Sequence, residues 1–217
     1  MSCRTFGIAL GLVLPAALGV WVTPLVSSTS LSPLVSSGPL SVLAPRTAEA
    51  SVSVAVTLEQ LVESSAFVVV ARAEEQRSQW EEIGGSRRIV TYTRLSVGQT
   101  VTGEPGKDVW VRTLGGVVDR VGQQVSGEAT LKTGTESLLF LRRASGGMVV
   151  VSAMAQGHFP LVRKADGEVR LGSSPDVGEV LERPGPSIAA RELLVGQPLG
   201  EAVKAIQVAR KAVDAKR

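Results

Sequence analysis

His158 is the only histidine among the 217 residues, so any nucleophilic relay of the Ser-His-Asp kind would have to be built on it. The acid would be Asp119, Asp166 or Asp176, and the nucleophile one of many serines. No G-x-S-x-G turn is present to display that serine. Between Gly157 and Phe159, His158 reads instead as a turn or surface residue. Carboxylates occur in pairs as Glu74-Glu75 and Glu81-Glu82. Acid/base cleavage of a glycoside needs two carboxyls facing each other across roughly 5 to 9 Å. Neighbours on one strand point to opposite faces, so these pairs read as solvated charge beside a turn. Gly115, Gly116 and Gly122 lack the lysine and hydroxyl residue of a phosphate loop and read as turn glycines. Cys3, the only cysteine, lies before an apolar run. With one histidine and no calcium-loop spacing, neither a metal nor another cofactor is expected.

The elements that would position these residues are mostly strands. Thr57 with Gln60 three residues on forms a capping box for a short helix carrying Leu58, Leu61 and Val62. Phe67 to Ala71 is a nearly continuous apolar run, as in a central strand. It leads through a Gly84-Gly85 turn into Arg87 to Val101, a hairpin. Lys107 to Thr113 is the next strand, with Val109, Val111 and Thr113 on one face and Trp110, Arg112 and Leu114 on the other. The glycine-studded segment 115–129 reads as a loop holding one short strand. Ser137 to Arg143 and Met148 to Ala155 pair across Ser145-Gly146-Gly147, and an Asp166-Gly167 turn joins a last hairpin. After the proline-rich 181–187, Ser187 would cap a helix ending at Leu194. Leu199, Ala202, Val203, Ile206, Ala209 and Val213 then form one apolar stripe of a final helix. The pattern predicts a mainly β fold, an OB-like small antiparallel barrel with a short N-terminal helix and C-terminal helices.

Composition bounds the compartment and the partners. The first 44 residues carry one charge, Arg4, followed by the apolar run 6–22, which is the layout of an export signal. The domain boundaries expected are 1–22 for a signal peptide or membrane anchor, 23–50 for a Pro/Ser-rich linker, 51–183 for the barrel and 184–217 for a helical extension. Export would place the protein in the periplasm, at the cell surface or outside the cell. Segment 6–22, if retained, would serve as a membrane tether. Residues 45–183 hold 16 Lys and Arg against 17 Asp and Glu, whereas 184–217 hold 6 against 3. The basic excess therefore sits in the tail, and Arg142, Arg143, Arg163 and Lys164 read as solvated surface, which excludes nucleic acid as the expected partner.

The succession SSAFVVVARA, IVTYTRLSV, VWVRTLGGVV, GTESLLFL and VVVSAMAQGHF resembles a group of uncharacterised secreted bacterial proteins with a VRTLGG, ESLLFL, AQG pattern. Over about residues 55 to 160 the outline is similar to the OB-type barrel of the tissue-inhibitor-of-metalloproteinases and netrin-module superfamily. The resemblance implies an OB-like barrel and carries no catalytic residues to this chain. That superfamily inhibits through an N-terminal cysteine tied by disulfides, which has no counterpart after the apolar run. The expected function is non-catalytic binding of a protein or cell-envelope component, as a protease inhibitor or accessory factor. Alternatives are an extracytoplasmic hydrolase using His158 and a membrane-tethered structural module. Loops held by a rigid barrel commonly carry recognition. That makes Arg112, Thr113, Gly115, Gly116 and Asp119 on one loop, with Gln156 and His158 on the other, the candidate binding residues.

Overall fold

The computed structural model describes residues 53–182, 185 and 187–216. The expected signal or anchor 1–22 and the expected linker 23–50 lie outside the described residues. In chain order the elements begin with β1 (Ser53–Val54) and α1 (Leu58–Ser64). The long hairpin β2 (Phe67–Ile83) and β3 (Ser86–Thr102) follows, then β4 (Asp108–Leu114), β5 (Gly116–Val118) and β6 (Val121–Gln123). Next come β7 (Glu136–Arg143), β8 (Val149–Val151), β9 (His158–Arg163), β10 (Val169–Leu171) and β11 (Val180–Leu181). Helices α2 (Ala190–Leu194) and α3 (Leu199–Asp214) complete the described chain.

The fold is mainly β, built on one large sheet in the order β10-β9-β7-β2-β3-β4-β8. An antiparallel sheet was the expectation, but this sheet is mixed: β8 pairs parallel with β4 through Val111 and Val149, and antiparallel with β7. The hydrogen-bonded path β2-β3-β4-β8-β7 thereby returns to β2. Met148 to Ala155 does not run as one strand, because Ala153 and Met154 take left-handed backbone angles (φ 50° and 56°) and the chain turns into a short 3-10 helix. Segment 115–129 holds two short strands rather than one, β5 pairing with β6 around Asp119 and Arg120.

The apolar run that begins β2 serves two cores at once. Phe67, Val69, Ala71 and Ala73 point into a cluster with Leu95, Val109, Val111, Leu139, Leu141, Val149 and Val151. Val68 and Val70 point the other way, onto Leu138, Phe140, Phe159 and the helices. Both faces of the strand are buried, so alternation gives way to a continuous apolar run.

The helices close the second cluster. Thr57 Oγ1 accepts from the Gln60 main-chain N–H at 3.3 Å, and Gln60 Oε1 accepts from Thr57 N at 3.1 Å, which is the expected capping box. Ser187 does not cap α2; Ala189 stands at that position, and the Ala190 N–H donates to Val56 O at 2.8 Å. A main-chain acceptor thus satisfies an amide that a side chain was expected to serve. The α3 stripe docks as its spacing predicts, with Ala202, Val203, Ile206, Ala209 and Val213 buried against α1 and the sheet.

One side chain ties the last helix to the first. Arg210 Nη2 donates to Val62 O at 2.7 Å and Ser65 O at 2.8 Å, and α1 has no basic residue in its own last turn. A cation there meets the negative end of the α1 dipole as well as two carbonyls at the helix end, of which Val62 O also accepts from Ser65 N at 3.3 Å. Arg210→Met keeps most of the aliphatic packing and removes both bonds. It should cost about 2 kcal/mol in urea unfolding; an unchanged midpoint would mean that the carbonyls are served equally well by water.

Candidate functional site

Two concavities flank the end of β4. The larger, about 470 Å³, lies between the far half of the β2-β3 hairpin, the β5-β6 hairpin, the segment 124–131 and the loop 175–178. The smaller, about 260 Å³, lies on the other side of β4 against β7 and β8. Thr113, Leu114 and Glu128 line both.

The wall of the larger cavity is polar because strand positions that face inward carry hydroxyls and amides in place of aliphatics. Ser78 and Thr91 share a hydrogen bond at 2.9 Å, and Thr91 Oγ1 donates to Gly115 O at 2.7 Å. Gln76 donates from Nε2 to Thr93 Oγ1 at 3.1 Å and to Leu131 O. Gln123 Oε1 accepts from Ile89 N at 2.7 Å, fixing β6 to β3. Gly116 lies so close to this wall that a Cβ would run into Thr91 Oγ1 and Ser78 Oγ, and its φ of 131° is one that side chains rarely tolerate. The opposite wall is fixed by Ala129 and Leu131, both buried in the β core, and by Asp176. Asp176 accepts from Thr130 N at 2.8 Å and from Thr130 Oγ1 at 3.2 Å.

Among the described residues, the only ionisable side chains lining the larger cavity are Glu128 and Asp176. Burial pushes the Glu128 carboxyl up to about 7, while the Leu114 main-chain N–H and the more distant Arg112 and Arg142 draw it back only in part. A carboxyl with a pKa raised toward 7 in the same cavity as a second carboxyl meets one condition for an acid/base pair. Both oxygens of Asp176, however, are committed to Thr130, which makes it a clamp on the loop. On the smaller side Arg112 forms an ion pair with Glu81 at 3.2 Å, and Glu81 also accepts from Tyr92 Oη at 2.7 Å. Burial raises the Glu81 carboxyl, but the bonds from Tyr92, Gln79 and Arg112 outweigh it and hold the group below its ordinary range. Glu81 is therefore a structural partner of Arg112, where solvated charge was expected. Glu82 is exposed as expected, and Glu75 pairs with Arg77 at 2.6 Å and Arg94 at 3.4 Å.

His158 corrects its expected place as a turn or surface residue. It begins β9, is 4% exposed, and sits between Ser137 Oγ (3.1 Å from Nε2) and Ser174 Oγ (3.2 Å from Nδ1). Burial lowers its pKa to about 4, with the nearby Asp176 pulling weakly the other way, so the ring is neutral at pH 7. A serine within hydrogen-bond distance of an imidazole meets the first geometric condition for a nucleophile and base. Ser137 and Ser174 are as buried as the ring, and none of the three lines either cavity, so this trio is a satisfied polar core. Of the other candidate acids, Asp119 is exposed at the β5-β6 turn, and Asp166 caps its own turn by accepting from Glu168 N at 2.9 Å.

The expected binding residues therefore divide. Thr113, Gly115 and Gly116 line the larger cavity, and Arg112 lines the smaller one. Gln156 is a clip: its amide accepts from Val56 N at 3.2 Å and donates to Val54 O at 3.1 Å, pinning β1. Glu128 was missed. Its setting is made by Leu114, Arg112 and Arg142, which lie in other segments, and the one local signal is that it precedes the buried Ala129 and the apolar Leu131. Among the described residues no three His, Cys, Asp or Glu side chains converge as a metal site. Nor is any helix among them long and apolar enough to cross a membrane.

Compared with protein-family models and with curated proteins, the chain matches none.

Proposed function

We propose that this chain is an exported, non-catalytic binding domain that recognises a protein or cell-envelope component through the larger cavity and its rim. The observation that carries this reading is the cavity itself: about 470 Å³, walled by Ser78, Thr91, Thr113 and Gln124, and formed by loops on a buried β core. The strand path that returns to β2, with its one parallel contact between β4 and β8, supports an OB-like barrel as the scaffold. Export rests on the apolar run 6–22 after Arg4.

Gln124 is an exposed rim residue that lines the cavity. Tagged protein recovered from the envelope and medium of its native host should carry a stoichiometric partner, and Gln124→Trp should lose it while unfolding at the wild-type midpoint. Arg163→Glu, on the distant β9-β10 hairpin, should keep it. Retention of the partner by the tryptophan variant would overturn the cavity as the binding surface. Intact mass of the recovered chain reports whether residues 6–22 persist.

A further inference from the structure

Within the proposed binding surface, Glu128 has no described function. Two of the charged groups around it are engaged elsewhere. Arg112 from β4 is paired with Glu81, Asp176 from the loop after β10 is bonded to Thr130, and Arg142 from β7 lines the smaller cavity together with Glu128 without forming an ion pair to it. Among the described residues no ion pair reaches Glu128, and no lysine or arginine lines the larger cavity.

We propose that the larger cavity is a site for a primary ammonium or guanidinium group, with Glu128 as its counter-charge and Ser78 and Gln124 as further hydrogen-bond acceptors. This rests on the reading of the cavity as the ligand surface. Such a group brings several N–H donors and no acceptor, which matches a wall whose unpaired capacity is a carboxylate, hydroxyls and a side-chain amide. It also supplies the cation that the cavity lacks, where a half-buried carboxylate gains more from a partner than it would in water. The cavity volume falls in the range of about 300 to 1,000 Å³ typical of ligand sites. A basic side chain or the amino terminus of a protein carries the required chemistry, and so does a free polyamine.

Because Glu128 must be ionised to act, a cation should displace its proton. Titration calorimetry of the full chain with N-acetyl-lysine amide, N-acetyl-arginine amide and spermidine, against N-acetyl-norleucine amide, tests this directly. At pH 8 at least one cation should bind about tenfold or more tighter than the neutral probe. Its affinity should fall about tenfold per pH unit below 7. Glu128→Gln should remove both the preference and the pH dependence without lowering the unfolding midpoint. Tighter binding of spermidine would assign the site to free amines; tighter binding of the amino-acid amides would assign it to a protein ligand. Equal binding of charged and neutral probes, no binding by any of them, or an unchanged profile in Glu128→Gln would overturn the site. A host partner kept by Glu128→Gln but lost by Gln124→Trp would overturn the cation site and leave the binding surface standing. Retention by both variants would overturn both.

Discussion

Gly103→Ala should destabilise the protein by about 4 kcal/mol, a large share of the stability of an ordinary domain. Gly103 leaves the end of β3 with φ 77° and passes against the start of β2. A Cβ there would meet Ala66 O, Phe67 Cβ at 2.7 Å and Phe67 Cα at 2.9 Å. These obstacles are mainly backbone, and Phe67 is itself locked in the core, so the collision can be relieved only by moving the first residue of the central strand. Gly84 separates the two contributions, since it has a similar φ of 59° and nothing within 4 Å of its would-be Cβ. Gly84→Ala should cost only about 1 to 2 kcal/mol, the backbone term alone. Equal urea midpoints for the two variants would show that close approach at Gly103 is not what the fold depends on.

The second large effect is a pair of opposed pH dependences. His158 has its pKa lowered to about 4 by burial, against 6.5 when unfolded. Between those values the unfolded chain binds more protons, so stability falls as pH falls, by up to about 3 kcal/mol. Glu128 has its pKa raised to about 7, against 4.5 when unfolded. Between those values the folded chain binds more protons, and stability falls as pH rises. The windows overlap from 4.5 to 6.5, so the two slopes oppose each other in the wild type. His158→Gln should expose the Glu128 slope, with stability declining as pH rises. Glu128→Gln should expose the His158 slope, with stability declining as pH falls. Urea midpoints measured across that window decide the matter: if both variants run parallel to the wild type, the two groups do not titrate as described.

What could be read from the sequence was what neighbours in the chain decide. The Thr57 and Gln60 cap, the Gly84-Gly85 turn and the α3 stripe depend on residues a few positions apart, and each formed as its spacing predicts. The parallel seam between β4 and β8 did not follow from either segment, because it rests on a single residue pair brought together by β7. His158 looked exposed because Gly157 and the short turn before it resemble a surface loop. Its burial comes from Ser137 and Ser174, which are 21 and 16 residues away. At the candidate site Thr113, Gly115 and Gly116 were legible as a glycine-marked loop after a strand. The Glu128 carboxyl was not, since it sits in a polar stretch with no periodicity of its own.

The packing of α1 against α3 has a consequence for the order in which the protein can be made. Leu58, Leu61 and Val62 near the start of the described chain share a core with Ile206, Ala209 and Val213 near its end, and Arg210 bonds the carbonyls of α1. A nascent chain emerging from the ribosome cannot complete that core until α3 is released, and contacts so distant in sequence are slow to form. For a chain exported as proposed, late closure would keep the polypeptide threadable through a translocation channel until α3 has emerged, with folding completed on the far side.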